Sequence, residues 1–166
     1  MNRYLKLGLK DFSQIPHELR KNPSNNNPEN EIRVNIQSLF HHVFIDRMHE
    51  IPIGTNHEYL HYKNHVNSDR LLRFQRKFLG ANKEIKIRER NKLGRGFCRW
   101  FLHEHCGINY FDDLGNILGG KVSSNFGAHT IERSHSGDIP DFFCAKNTNE
   151  FFIAEAKGTS KSISFN

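Results

Sequence analysis

The sequence predicts an α/β domain, helical over its first 105 residues and built of strands after them. Three observations carry that reading. Before Gly107, apolar residues recur three and four apart in several stretches, the spacing of a helix face. After about residue 128 they form short aromatic and apolar blocks separated by turn residues, the pattern of strands. At 166 residues the chain has the length of one domain with a real core.

The elements follow in order. Residues 1–20 are a mixed basic opening with weak signals, and residues 22–30, NPSNNNPEN, form a polar loop. A helix is expected from Glu29 to His49, because Ile32, Ile36, Phe40 and Val43 share one helical face and Pro28 suits a helix start. Pro52 and Gly54 then punctuate the chain. Ser68 suits an N-cap for a second helix, with Leu71, Leu72, Phe74, Phe78 and Leu79 apolar and Gly80 as its stop. A third helix is expected over Glu89 to His105, burying Leu93, Phe97, Trp100 and Phe101 and ending at Gly107. Gly94 and Gly96 weaken its first half, since glycine is a poor helix former. Residues 108–127 read as a loop or loose hairpin. HTIERSH, IPDFFCAK and EFFIAEAKGT then read as three strands of an antiparallel meander, turning at SHSGD and NTN. The chain divides into a helical, basic region over 1–85 and a core over 86–166, which could form one continuous domain.

Charge points to an anionic partner. The net charge is +6 and the pI about 9.3, a balance suited to nucleic acid or a membrane surface. It is also concentrated. Between Val66 and Trp100 there are eleven Lys or Arg and three Asp or Glu, a local net of +8. The cations are Arg70, Arg73, Arg76, Lys77, Lys83, Lys86, Arg88, Arg90, Lys92, Arg95 and Arg99. They are candidates for phosphate contact, because a surface with no such task usually mixes both signs. The aromatics among them, at helical spacing, read as core. The three cysteines, Cys98, Cys106 and Cys144, include no CxxC pair, which makes a disulfide framework unexpected and a reducing, cytoplasmic location the expectation. No apolar run approaches the length of a membrane span.

The most informative stretch is GDIPDFFCAKNTNEFFIAEAKGT. Asp141 stands at the start of one predicted strand, and Glu155 and Lys157 lie two apart at the end of the next. Residues two apart on a strand share a face, and the NTN turn folds one strand back on the other. Two carboxylates and one ammonium therefore converge. That set suits phosphodiester hydrolysis. Hard carboxylate oxygens take Mg²⁺ or Mn²⁺, the ion polarises a phosphoryl oxygen and acidifies a water, and a lysine steadies developing charge.

These residues resemble the PD-(D/E)xK nuclease superfamily, the restriction-endonuclease-like fold. Pro140 and Asp141 match its PD, and Glu155, Ala156 and Lys157 match its (D/E)xK. The apolar run before Glu155 and Gly158 after Lys157 also suit the pattern, and the resemblance spans about residues 89–160. It implies that Asp141, Glu155 and the Ala156 carbonyl hold the metal, with Glu104 or Glu132 as candidates to join them. It implies that Lys157 positions the attacking water, and that the substrate is DNA in preference to RNA. An endonuclease of restriction type is the expectation, and a homodimer is one arrangement it allows. In the family a helix and a strand follow the lysine. Nine residues follow Lys157 here, so the core is expected to be cut short there or completed by the N-terminal part or a partner.

Two other readings compete. The acids could be purely structural in a non-catalytic nucleic-acid-binding module. His57, Glu58 and His61 spell H-E-x-x-H, with His65 one turn further, a pattern that on a helix could grip Zn²⁺ as in a metallopeptidase. The chain holds eleven histidines, which makes such a string less surprising. GNILGGK lacks the spacing of a phosphate loop.

Overall fold

The chain begins with a strand pair, not with helix. In the computed structural model, which describes residues 1–46, 62–75, 82–120, 125–126 and 129–158, β1 (Asn2–Lys6) pairs antiparallel with β2 (Glu31–Asn35). The expected helix from Glu29 is thereby corrected: its first turns are strand. Ile32 and Val34 are buried while Arg33 and Asn35 are exposed, so over these five residues a period of two overrides the helical one. The helix proper, α1, spans Ile36–Asp46. Asn35 turns the strand into it, its Oδ1 accepting the N–H groups of Gln37 at 2.9 Å and Ser38 at 3.3 Å.

The second expected helix is also corrected where it is described. Residues 68–75 run without helix. Tyr4 donates its N–H to Arg70 O at 3.0 Å and accepts from Leu72 N at 2.7 Å, and Val66 bridges Phe74. The backbone is satisfied by β1 and by its own return, so pairing across the fold overrides the local pattern. Residues 76–81, with Phe78, Leu79 and Gly80, lie outside the described residues.

The third helix, α2, spans Lys83–Cys106, six residues longer at its start than expected. Asn82 caps it, accepting Ile85 N–H at 2.9 Å. Gly107, at φ +67°, ends it in the left-handed conformation that glycine adopts freely. Its two internal glycines are close-approach points. A Cβ at Gly96 would lie 2.3 Å from the Val43 side chain on α1, and one at Gly94 would lie 2.9 Å from the backbone of Gly158. The helix carries them because two other segments cross it there.

Five strands follow, three of them in one sheet. β3 (Tyr110–Asp113) leads directly into a short helix, α3 (Leu114–Leu118), capped by Asp113 accepting Asn116 N–H at 3.1 Å. β4 (Asn125–Phe126) and β5 (His129–Thr130) pair with each other. β6 (Phe142–Asn147) and β7 (Glu150–Ala154) form the expected hairpin. The antiparallel sheet has the order β3–β6–β7. The meander's first strand is therefore Tyr110–Asp113, drawn from the expected loop, whereas HTIERSH contributes only the two residues of β5. Polar and exposed except at Ile131, that segment had no apolar face to bury.

The core lies in three parts. Ile15, Leu19, Ile32, Val34, Phe40, Val43, Tyr62 and Trp100 fill the space around α1 and the first strands. On the other flank of α2, Phe142 and Cys144 pack with Ile108, Leu102, Ala154 and Ala156. Phe143, on the opposite face of the sheet, packs with Leu114, Ile117 and Phe151. The sheet is thus covered by α2 on one face and α3 on the other, a mixed α/β arrangement. Among the described residues no helix is long and apolar enough to cross a membrane.

Candidate active site at the strand ends

Asp141 sits one residue ahead of β6, and Glu155 and Lys157 lie just beyond β7, so the hairpin brings the P-D pair and the E-A-K triplet to the same end of the sheet. The link between them is direct. Asp141 Oδ2 accepts the N–H of Ala156 at 2.8 Å. Ala156 itself packs into the apolar cluster beneath α2, which anchors the triplet. Glu155 and Lys157 point to solvent and pair with each other at 3.0 Å. The Glu155 hydrogen bond and charge raise the Lys157 pKa, favouring its ammonium form.

The other oxygen of Asp141 meets a cation that the sequence pointed toward nucleic acid. Arg95 Nη1 donates to Asp141 Oδ1 at 2.8 Å. The same guanidinium donates to Asp46 on α1 at 2.9 and 3.3 Å and to Asp113 at the end of β3 at 3.4 Å, and it lies 4.4 Å over the Phe142 ring. Burial would lower its pKa, but bonding to Asp46 and then Asp141 outweighs that and raises it. Arg95 is a hub joining α1, α2, the end of β3 and the start of β6. Sequence reasoning missed Asp46 and Asp113 because three acids so far apart in the chain leave no local signature.

The further metal candidates lie elsewhere. Glu104 accepts the Ser38 hydroxyl at 2.9 Å, and its ligand oxygen groups with His42 and His103 within 4.8 Å. Among the described residues this is the only grouping of three or more metal-ligating side chains that close, so the acids at the strand ends are not joined by a third. Glu132 is exposed in the segment after β5. His57 and His61 lie outside the described residues. His65 lies in the turn after Tyr62, its N–H donated to Tyr62 O at 3.0 Å.

The basic residues spread over two surfaces. Arg70 pairs with Glu31 at 2.6 Å and covers the Tyr4 ring, and Arg73 lies 3.8 Å from Asp69. Arg76 and Lys77 lie outside the described residues. On α2, Lys83 and Arg88 are exposed, and Lys86, Arg90 and Lys92 half-buried. Lys92 pairs with Glu89 at 2.8 Å, and Arg99 lies over the Phe111 ring at 4.7 Å. Arg88, Lys92, Arg95 and Arg99 line one wall of a cleft of about 600 Å³, whose other wall holds Asp46, Phe111, Asp112, Asp113 and Asn116. Arg95 therefore touches both this cleft and Asp141.

The thiols of Cys98 and Cys144 are inert by comparison. Burial pushes the Cys98 thiol up to about 11 and Cys144 to about 12, leaving both protonated at neutral pH. Among known proteins the chain matches no family model, no curated protein and no solved structure.

Proposed function

We propose that the chain is a metal-dependent nuclease of the PD-(D/E)xK type, cleaving phosphodiester bonds in DNA in preference to RNA. The observation that carries the reading is the 2.8 Å bond from Ala156 N–H to Asp141, which ties the P-D pair to the centre of the E-A-K triplet. The order of elements supports it: a long helix, then three antiparallel strands, with Asp141 at the start of the second and Glu155 after the third.

The donors at the strand ends fit a hard divalent cation in kind. Each Asp141 oxygen accepts one hydrogen bond and retains a lone pair, and Glu155 is half exposed. Asp141, Glu155 and the Ala156 carbonyl would hold Mg²⁺ or Mn²⁺, with waters completing the shell. Bound there, such an ion polarises a phosphoryl oxygen and lowers the pKa of a water. The chain's own residues do the rest. Lys157 presents an ammonium beside the acids, available to orient water and stabilise developing charge. Arg95 fixes the orientation of Asp141. Arg88, Lys92 and Arg99 line the cleft together with Glu84, Asp46, Asp112 and Asp113, and these cations would take backbone phosphates, contacts that position a nucleic acid without reading its sequence.

One observation favours the alternative of a non-catalytic nucleic-acid-binding module. Each acid already has a cation of its own chain, Asp141 in Arg95 and Glu155 in Lys157. Cleavage of supercoiled plasmid in Mg²⁺, in Mn²⁺ and in EDTA separates the two. The nuclease reading expects metal-dependent nicking that Asp141→Ala and Lys157→Ala each reduce by about a hundredfold or more. A folded wild type that binds DNA in a salt-dependent way without nicking it selects the binding module.

A further inference from the structure

The geometry points to a second metal site, a zinc site formed by His42 of α1 and His103 and Glu104 of α2, clamping the two helices together away from the acids at the strand ends. It does not rest on the nuclease reading.

The ligand atoms of the three side chains lie within 4.8 Å of one another. Ligands about 2.1 Å from a tetrahedral zinc stand about 3.4 Å apart, so small rotations of the side chains close the set. Two imidazoles and one carboxylate form a donor set that zinc takes with a fourth position left to water.

Two supporting contacts orient the ligands. His103 Nδ1 lies 3.1 Å from the Ile108 carbonyl, which can only accept. Nδ1 therefore carries the hydrogen, and Nε2 keeps its lone pair. A backbone carbonyl holding the far nitrogen is the usual partner of a metal-ligating histidine. Ser38, one turn before His42, donates its hydroxyl to Glu104 Oε1 at 2.9 Å and holds that carboxylate against α1. The third observation is a vacant donor. His42 is 7% exposed, and its Nδ1 is sealed from solvent with no hydrogen-bond partner. A buried polar nitrogen left unmatched is uncommon and calls for a reason, and an imidazole turned to serve a cation supplies one. The His42 and His103 rings lie 5.0 Å apart.

The test uses the full chain, stripped with a chelator and titrated with zinc alone by calorimetry, with cobalt absorption as a report on ligand geometry. The expected result is one zinc per chain, with affinity lowered about tenfold or more in both Glu104→Gln and His103→Gln, and tetrahedral cobalt bands lost in both. Glu104 is exposed, so Glu104→Gln leaves the fold intact. A His57→Ala/His61→Ala double variant is expected to keep the zinc. The proposal is overturned by a wild type that binds no zinc, by zinc affinity unchanged in Glu104→Gln and His103→Gln, or by loss of the zinc in the His57/His61 variant instead.

Discussion

The contact between α1 and α2 is fastened in different ways at its two ends. At one end Asp46 meets Arg95, and Asp113 and Asp141 join the same guanidinium. At the other, Ser38 meets Glu104 and His42 faces His103. Between them Gly96 lets Val43 touch the helix backbone. The helices run in opposite directions, so residues rising in number along α1 meet residues falling along α2. The first end has one cation for three acids and every group engaged, which makes it a lock. The second end has a sealed imidazole nitrogen without a partner and carboxylate capacity to spare. A satisfied ion network holds positions, while an unsatisfied polar cluster is built for something added to it.

Breaking the lock has the largest expected effect. Arg95→Met removes the cation from Asp46 and Asp141, whose bonds to it are shorter than 3 Å. Its side chain is 22% exposed and that of Asp46 8%, so water replaces it poorly. Stability should fall by about 3 kcal/mol, because what is left is an uncompensated group of acids. Urea unfolding measures it, and Asp46→Asn added to Arg95→Met should recover part of the loss. An unchanged midpoint in Arg95→Met would falsify the lock.

Gly96→Ala probes the close approach between the two ends and ranks second. The new Cβ would sit 2.3 Å from Val43 Cγ2 and 2.7 Å from its Cα, so α1 must move away. Alanine gains roughly 1 kcal/mol of helix propensity over glycine, while overpacking costs about 1–3 kcal/mol. The net expectation is a loss of up to about 2 kcal/mol, and Val43→Ala added to Gly96→Ala should restore part of it. A more stable Gly96→Ala would mean that the helices are less tightly joined than the backbone spacing indicates.

The same particulars explain what was legible in the sequence. The meander's hairpin and the P-D and E-A-K placements were readable, since Phe142–Asn147 and Glu150–Ala154 carry their strand signal locally. Gly107 as the end of α2 was readable for the same reason. The strand at Glu31–Asn35 was not. Ile32, Ile36, Phe40 and Val43 fit one helical face, but Ile32 belongs to a strand and pairs with Leu5, far earlier in the chain. The stretch around Leu71 carried helix spacing, yet its amide and carbonyl neighbours bond Tyr4. Gly94 and Gly96 looked like helix weaknesses because what they make room for, Gly158 and Val43, is far away in the chain. In the site, the acids adjacent to a motif could be found, whereas Asp46 and Asp113 are assembled only by Arg95.

Arg70 gives the smallest expected effect and sharpens the contrast with Arg95. Its ion pair with Glu31 is the shorter, 2.6 Å against 2.9 Å from Arg95 to Asp46. If distance governed, Arg70→Ala would be the more damaging change. But the Arg70 side chain is 63% exposed, against 22% for Arg95. Water and salt replace an exposed partner readily, so Arg70→Ala should alter stability by less than about 1 kcal/mol, and most of that through lost cover over the Tyr4 ring. On the nuclease reading the same variant should leave DNA affinity and its salt dependence nearly unchanged, because Arg70 lies outside the cleft that Arg88, Lys92 and Arg99 line. Urea unfolding beside a salt titration of DNA affinity checks both expectations. A destabilisation as large as that of Arg95→Met would mean that burial is not what distinguishes the lock from the surface pairs around it.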